Sequence, residues 1–479
     1  MALLGSFLFG CQKPCVGVGC AEEYDAALVG VIDGTELNLN GYTSPLDTYI
    51  DVEGIPELGP NWDVAISEGL LVVGSPLEGA IRLFDGTTST SALGAEDASV
   101  VIASEDPWDS FGASIDMVPD IDGDGTSDFI VGAPDTDLST TSRAEGAAHL
   151  ISGAVSGEEG EMDLEDQLLF TVKGRDLGGQ LGQTVVGCPD MDGDGLGEFA
   201  VGAPRDNSFA ILGGSVTLVY SADITKTGDS DFADAFPTHW GLDTLGGASG
   251  FSLCCQDDLT GDGVPDLLVG APFADGNNEA AGSIFILDGT NSDPTGDLAD
   301  DATIVLTGLF SHSWTGWSVQ TGDINGDGYA EVVAGAPAAI SSAGLTLVWD
   351  GADVMAAAGV GTAETPQPRF RINGDAELDS AGHTIAVEDL DGDGQADLII
   401  GAPKADIAES ASNAYDSGAL YIFRGAKNFA GWRPNMSTDE AEAIVTESQE
   451  YLRTGQIVKT GDINGDGTPD LALVHRHRP

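Results

Sequence analysis

The sequence predicts an all-β fold: a seven-bladed β-propeller of four-stranded blades, its last blade completed jointly by the N- and C-terminal strands. Three observations predict it. An acidic nonapeptide running straight into a short apolar stretch recurs six times, from Asp120, Asp190, Asp258, Asp323, Asp389 and Asp462, at spacings of 70, 68, 65, 66 and 73 residues. Self-similarity at a fixed period marks a repeat architecture. Five copies stop at Gly-Ala-Pro: Gly132 to Pro134, Gly202 to Pro204, Gly270 to Pro272, Gly335 to Pro337 and Gly401 to Pro403. Each unit then holds further β-rich runs between Gly, Pro and Asp turns, giving four short strands, and four-stranded units at a fixed period are propeller blades.

In chain order, residues 1–20 read as a leader and tether. The opening MALLGSFLFGC has an apolar run too short to span a bilayer as a helix, and no Lys or Arg precedes it. Leu8-Phe9-Gly10-Cys11 resembles a bacterial lipobox with an unusual Phe9. The expectation is export, with Cys11 lipidated at a bacterial cell surface or outer membrane, or secretion. Residues 27–479 form the propeller. Leu28 to Thr35 is similar to the third-strand segment Ser283 to Thr290, and Thr48 to Gly54 to the outer strand Leu169 to Gly174. The N-terminus therefore supplies the last two strands of a blade whose first two lie at 455–474. Pairing the chain ends in this way removes exposed sheet edges. A loop-less copy, Leu70 to Pro76, starts the blade at 58–104. Complete blades follow near 111–174, 181–242, 250–308, 316–373 and 382–448, and the shared blade joins 455–479 to 27–54. A Gly-containing doublet precedes each acidic loop: Phe111-Gly112, Leu181-Gly182, Gly250-Phe251, Gly316-Trp317, Gly382-His383 and Gly455-Gln456.

The loops carry the chemistry. Carboxylates converging within nine residues repel one another unless a hard cation neutralises them, and Ca2+ suits such a site because it accepts six to eight oxygen ligands in flexible geometry. Positions 1, 3, 5 and 9 supply side chains and position 7 a backbone carbonyl. The predicted ligands are Asp120, Asp122, Asp124, Thr126 and Asp128; Asp190, Asp192, Asp194, Leu196 and Glu198; Asp258, Thr260, Asp262, Val264 and Asp266; Asp323, Asn325, Asp327, Tyr329 and Glu331; Asp389, Asp391, Asp393, Gln395 and Asp397; Asp462, Asn464, Asp466, Thr468 and Asp470. Thr260, Asn325 and Asn464 each remove a charge, so the loops at Asp120 and Asp389 are expected to bind most strongly. An EF-hand loop needs an acid at position 12. Here that position is Val131, Val201, Val269, Ala334, Ile400 or Leu473, which excludes it. The expected role is structural, since metal catalysis wants an open coordination position and a nearby base.

These units resemble the FG-GAP repeat of integrin alpha-chain propellers and their bacterial relatives, over roughly residues 58 to 474. The resemblance implies up to six calcium ions and contact with protein ligands at the end opposite the calcium loops. Several doublets depart from Phe-Gly. The variable connections at that opposite end, 135–145, 205–213, 273–281 and 404–417, are the expected recognition segments. Trp108, Trp240, Phe273, Trp314 and Trp317 sit among or beside them. Trp317, in the doublet, is expected to pack between blades.

There are 79 acidic and 17 basic residues, for a net charge of −62. The loops hold 21 of the carboxylates, and six calcium ions would leave about −50. Such a surface repels nucleic acid and anionic lipid. Of the cysteines, Cys15 and Cys20 suit a local disulfide in an oxidising compartment. Cys188 and Cys255 are read as small buried apolar side chains, and no pair has zinc-ligand spacing. None of the six histidines sits in a nucleophile or metal signature. The expectation is a non-enzymatic adhesion or recognition propeller for a protein or glycan. The alternatives are a hydrolase or lyase with its site in the central depression, or a scaffold.

Overall fold

The computed structural model describes residues 27–32, 63–67, 69–85, 97–138, 144–224, 229–276, 278–290, 296–358, 366–406, 416–446, 453–463 and 467–476. Within them the chain forms seven sheets, numbered 1 to 7 by their first strands Val64–Ser67, Ser114–Val118, Thr184–Cys188, Ser252–Cys254, Ser318–Gly322, Thr384–Glu388 and Ile457–Gly461. Sheet 2 sets the pattern: Ser114–Val118, Asp128–Ala133, Ala147–Ile151 and Leu168–Lys173 pair antiparallel in sequence order. The first strands of successive sheets neighbour one another in a closed circle, from Val64–Ser67 through Ser114–Val118 and onward to Ile457–Gly461, which returns to Val64–Ser67. The all-β propeller expectation is borne out.

Closure uses both chain ends. Ala27–Ile32 pairs antiparallel with Asp470–Arg476, placing Ala27 opposite Arg476 and Ile32 opposite Leu471. Asp470–Arg476 in turn pairs with Ile457–Gly461. The predicted partner strand at 48–54, the leader with Cys11, and the pair Cys15 and Cys20 lie outside the described residues.

The core is distributed between sheets. Each apolar cluster draws on two neighbours: Val186, Val216 and Trp240 of sheet 3 pack on Leu267, Val269 and Phe285 of sheet 4, and Val348 and Phe370 of sheet 5 pack on Leu398, Ile400 and Phe423 of sheet 6. A second strand is therefore covered on both faces. All six residues of Asp397–Ala402 are buried, which is why these strands read as unbroken apolar runs rather than alternating ones.

The glycines of Gly-Ala-Pro and of the doublets explain each other. A Cβ on Gly132 would lie 1.9 Å from the Gly182 carbonyl oxygen of the next sheet, and one on Gly335 would lie 1.9 Å from that of Gly382. Adjacent sheets thus touch backbone to backbone at this level, and no side chain fits. Hydroxyls lock the same contact: Ser114 Oγ donates to the Gly182 carbonyl at 2.9 Å and Ser318 Oγ to that of Gly382 at 3.0 Å.

Two features depart from the sequence reading. Three sheets carry a fifth, outer strand, parallel to the fourth and borrowed from the next unit: Gly160–Asp163 on Val100–Ala103, Asp229–Phe232 on Leu168–Lys173, and Asn435–Ser437 on Phe370–Asn373. These cover edges that would otherwise expose unpaired amides. Second, Cys188 and Cys255 are not separate apolar fillers. They form a disulfide with Cα atoms 5.4 Å apart, joining the end of the first strand of sheet 3 to the residue that follows the first strand of sheet 4. Cys188 lies two residues before Asp190 and Cys255 three residues before Asp258, so the pair is offset by one position and meets only through the inter-sheet contact.

Candidate metal loops and the opposite end

Each acidic loop joins a first strand to a second. Its turns are closed by its own carboxylates. Asp120 Oδ1 accepts the amides of Gly123 (2.7 Å) and Asp124 (3.0 Å), and Oδ2 that of Gly125 (2.8 Å). Asp190, Asp258 and Asp323 hold the equivalent glycine amides, at 2.6–2.9 Å. The position-5 carboxylate accepts the position-7 amide, as Asp124 does from Thr126 and Asp393 from Gln395.

The position-9 acids are the anchors. Asp128, Glu198, Asp266, Glu331 and Asp397 are fully buried, and Asp470 nearly so. Each accepts the position-2 amide of its own loop, as Ile121 N donates to Asp128 at 2.9 Å and Met191 N to Glu198 at 2.7 Å. Four also accept an amide from the end of the third strand: Gly153, Gly289, Gly351 and Gly425. Burial, with neighbouring carboxylates adding to it, pushes these acids up, Asp128 to about 6, Asp266 and Asp397 to about 7, Glu198 and Glu331 to about 8. A nearby cation would reverse that preference.

The structure gathers the predicted ligands unevenly. Carboxylate oxygens converge within 4.8 Å of one another in three loops: Asp190, Asp192, Asp194 and Glu198; Asp120, Asp122 and Asp128; Asp389, Asp391 and Asp397. Asp124 stands apart from its cluster, accepting the Thr126 hydroxyl and amide, which hold its carboxyl below the usual range. Asp393 is held by Arg424. The loops at Asp258 and Asp323 bring no such trio together among the described residues. Asp262 accepts the Thr290 hydroxyl at 3.2 Å, while Asn325 donates to Glu331 at 2.7 Å. Asn464 and Asp466 lie outside the described residues, and of that loop only Asp462, Thr468 and Asp470 among the predicted ligands are described. Two ligand oxygens supply a test of fit. Glu198 Oε1 and Asn325 Oδ1 are buried without a hydrogen-bond partner, and both occupy predicted ligand positions. An orphaned oxygen in an all-oxygen acidic cradle fits a hard divalent cation.

The alternation of antiparallel strands sends the second-to-third and fourth-to-first connections to the other end. A clip missed in the sequence organises them. Asp137, Asn207, Asp275 and Asp406, each three residues after the proline, accept the amides of Ala144, Leu212, Ala280 and Asp416 at 2.7–2.9 Å. The signal was present as Gly-Ala-Pro-x-x-Asp/Asn in four of the five copies. Trp317 packs in a ring cluster with Phe251 (4.5 Å between centroids), Trp314 (5.6 Å, nearly parallel) and His383 (5.6 Å). Trp240 is buried, and Trp108 is half exposed.

A family model described as "FG-GAP repeat" matches residues 111–151, 255–287, 315–349 and 381–423. The chain carries FG-GAP repeats. The matched FG-GAP segments contain the loops at Asp120, Asp258, Asp323 and Asp389. The chain is 27% identical to the phosphatidylinositol-glycan-specific phospholipase D of Dictyostelium discoideum over 232 residues, covering 45% of this chain and 23% of that protein. It is 29% identical to integrin alpha-IIb of Mus musculus over 168 residues, covering 35% of this chain and 14% of that one. It thus spans less than a quarter of either curated relative. The WD40 domain of Toxoplasma gondii coronin aligns over 94% of this chain and 89% of that chain at 9% identity, with a TM-score of 0.49.

Proposed function

We propose that this FG-GAP propeller is an exported, calcium-stabilised binding module that recognises a protein or glycan through the end opposite its acidic loops. One observation carries the reading. Ten large apolar side chains are exposed among the described residues, and nine of them lie on that end. Trp108, Leu177, Leu245, Phe310 and Leu378 occupy the connections between sheets, and Leu77, Ile211, Leu212 and Ile340 the second-to-third connections. Tyr329, in an acidic loop, is the exception. Exposed apolar side chains concentrated at one end support an interaction surface there, whereas the acidic end repels anionic partners. Calcium bracing of the other end would hold this surface in shape. The inter-sheet disulfide suits an oxidising compartment.

The innermost strands bear on the enzymatic alternative. Lys459 lies 3.8 Å from Asp63, so the lysine is engaged across the seam between the last and first sheets. Burial pushes the Cys254 thiol up, away from the thiolate a nucleophile requires. Both features support the binding reading.

The test is a screen of surface glycans and matrix proteins against the parent and a Leu177→Ser/Leu245→Ser/Phe310→Ser variant, with and without calcium. The expected result is a ligand bound by the parent in calcium and lost by the variant at unchanged thermal midpoint. A ligand bound equally by both would overturn the assignment of this end.

A further inference from the structure

The loop at Asp389 holds four carboxylates, as many as any in the chain, yet it alone among the described loops carries a cation on its ligand positions. Arg424 follows the third strand Ala419–Phe423. Its Nη2 lies 2.9 Å from Asp393 Oδ2 and is ion-paired with Asp391 Oδ2. Three contacts fix the backbone there. The Gly425 amide donates to Asp397 Oδ1 at 2.8 Å, the Arg424 amide to Glu442 Oε2 at 3.3 Å, and Trp432 Nε1 to the Arg424 carbonyl at 3.1 Å. The guanidinium is therefore aimed at positions 3 and 5 by the same strand end that anchors position 9. At the matching place the other described loops have Ser152, Tyr220, Asp288 and Asp350, none of them cationic. The Asp120 loop has the same four acids with Ser152 in place of the arginine.

We propose that Arg424 is a built-in counter-cation that competes with calcium for Asp391 and Asp393, so that the fifth loop is held closed without metal and binds it more weakly than its charge predicts. The proposal rests on the calcium reading above. A guanidinium and a divalent ion cannot share these oxygens without like charges lying a few ångströms apart. A unit charge about 5 Å from a divalent ion, even at the dielectric of water, changes affinity by about tenfold. Affinity then no longer follows carboxylate number alone: of the three loops with four carboxylates, those at Asp120 and Asp190 lead, and the one at Asp389 falls behind them.

The experiment is calorimetric calcium titration, with thermal unfolding in chelator, on the parent, Arg424→Gln and Ser152→Arg. Arg424→Gln should tighten one site per chain about tenfold and lower the midpoint in chelator, where Asp391 and Asp393 lose their partner. An Arg424→Gln chain that folds only in calcium is the same result at its limit. Ser152→Arg, which sets a guanidinium beside the Asp120 loop, should weaken one site about tenfold and shrink the drop in midpoint on chelation; it decides the matter if Arg424→Gln does not fold at all. Calcium binding by the parent with both variants unchanged overturns the role of Arg424 alone. Absence of any calcium heat in the parent overturns the calcium reading itself.

Discussion

The backbone contact between sheets makes a sharp prediction. In Gly335→Ala the new Cβ would stand 1.9 Å from the Gly382 carbonyl oxygen and 2.3 Å from Ser318 Oγ. Ordinary carbon–oxygen contact needs more than 3 Å, so the two sheets must part by over an ångström or the strand must shift. Neither neighbour yields cheaply. Gly382 is held by its amide on the Gly401 carbonyl at 3.0 Å, and Ser318 by its hydroxyl on Gly382. Overpacking of this kind costs about 1–3 kcal/mol, and loss of the serine bond about 1 more. The expected loss is therefore about 2–4 kcal/mol, a large part of a typical domain stability of about 5–15 kcal/mol. Urea unfolding in calcium measures it, as a fall in midpoint at constant slope. Two controls separate causes. Gly157→Ala has open space around it and should stay within about 0.5 kcal/mol of the parent. Gly125→Ala also has open space but a φ of +92°, and should show only the left-handed penalty of about 1–2 kcal/mol. A Gly335→Ala loss below about 1 kcal/mol would refute the argument that close approach, and not conformational freedom, demands glycine here.

Three further outcomes follow from the loops and the bridge. Glu198→Gln should lower the thermal midpoint in calcium, by removing a ligand, and raise or preserve it in chelator, where no charge remains to bury; equal loss in both buffers would make the residue purely structural. In chelator, Glu198 and Glu331, pushed up to about 8, have folded values above their unfolded ones, so their contribution is full below about 4.5 and is lost as pH rises toward 8. The buried imidazoles His149 and His383, held down near 4 by burial, act oppositely, losing stability as pH falls from 6.5 toward 4. Chelated protein should therefore destabilise between pH 6 and 8, and calcium should abolish that loss in a pH series of melting curves. Breaking the Cys188–Cys255 bridge, which closes 67 residues, as Cys188→Ser/Cys255→Ser should cost up to about 4 kcal/mol on the chain-entropy argument; a denaturation midpoint equal to the parent's would mean the bridge constrains nothing.

What was legible in the sequence was whatever repeats with a fixed offset. The acidic loops, the apolar second strands and the Gly-Ala-Pro stops each recur at set spacing, so period alone placed them. The joining of the two chain ends was legible for the same reason, because Leu28 to Thr35 is a fragment of the repeat out of place. The borrowed outer strands were not. Gly160–Asp163 reads GEMD and Asp229–Phe232 reads DSDF, with little β preference. They become strands only because a neighbouring edge offers them partners. The Cys188–Cys255 bridge was misread because its two halves are ordinary within their own units and meet only across sheets. Arg424 was hidden similarly, lying 31 residues from Asp393, the acid it holds.

Backbone conformation shows the same division between a fixed frame and free positions. Two residues before every doublet glycine the chain turns left-handed: Ser110, Gln180, Ala248, Trp314, Ser380 and Arg453 all have φ between 54° and 62°. Such a conformation costs a non-glycine residue about 1 kcal/mol or more, and it persists only where the surrounding structure imposes it. Six units impose it, yet the six residues share neither size nor charge. The turn is set by the way one sheet hands the chain to the next, and the side chain it presents is not needed to make it. A rigid frame that leaves its presented residues free, at the end where the exposed apolar side chains also collect, is what recognition requires of a scaffold. At the acidic end the reverse holds. There positions 1 and 9 of all six loops, and position 5 of the first five, are tied into the backbone by their own hydrogen bonds, and little remains that could vary without opening the turn.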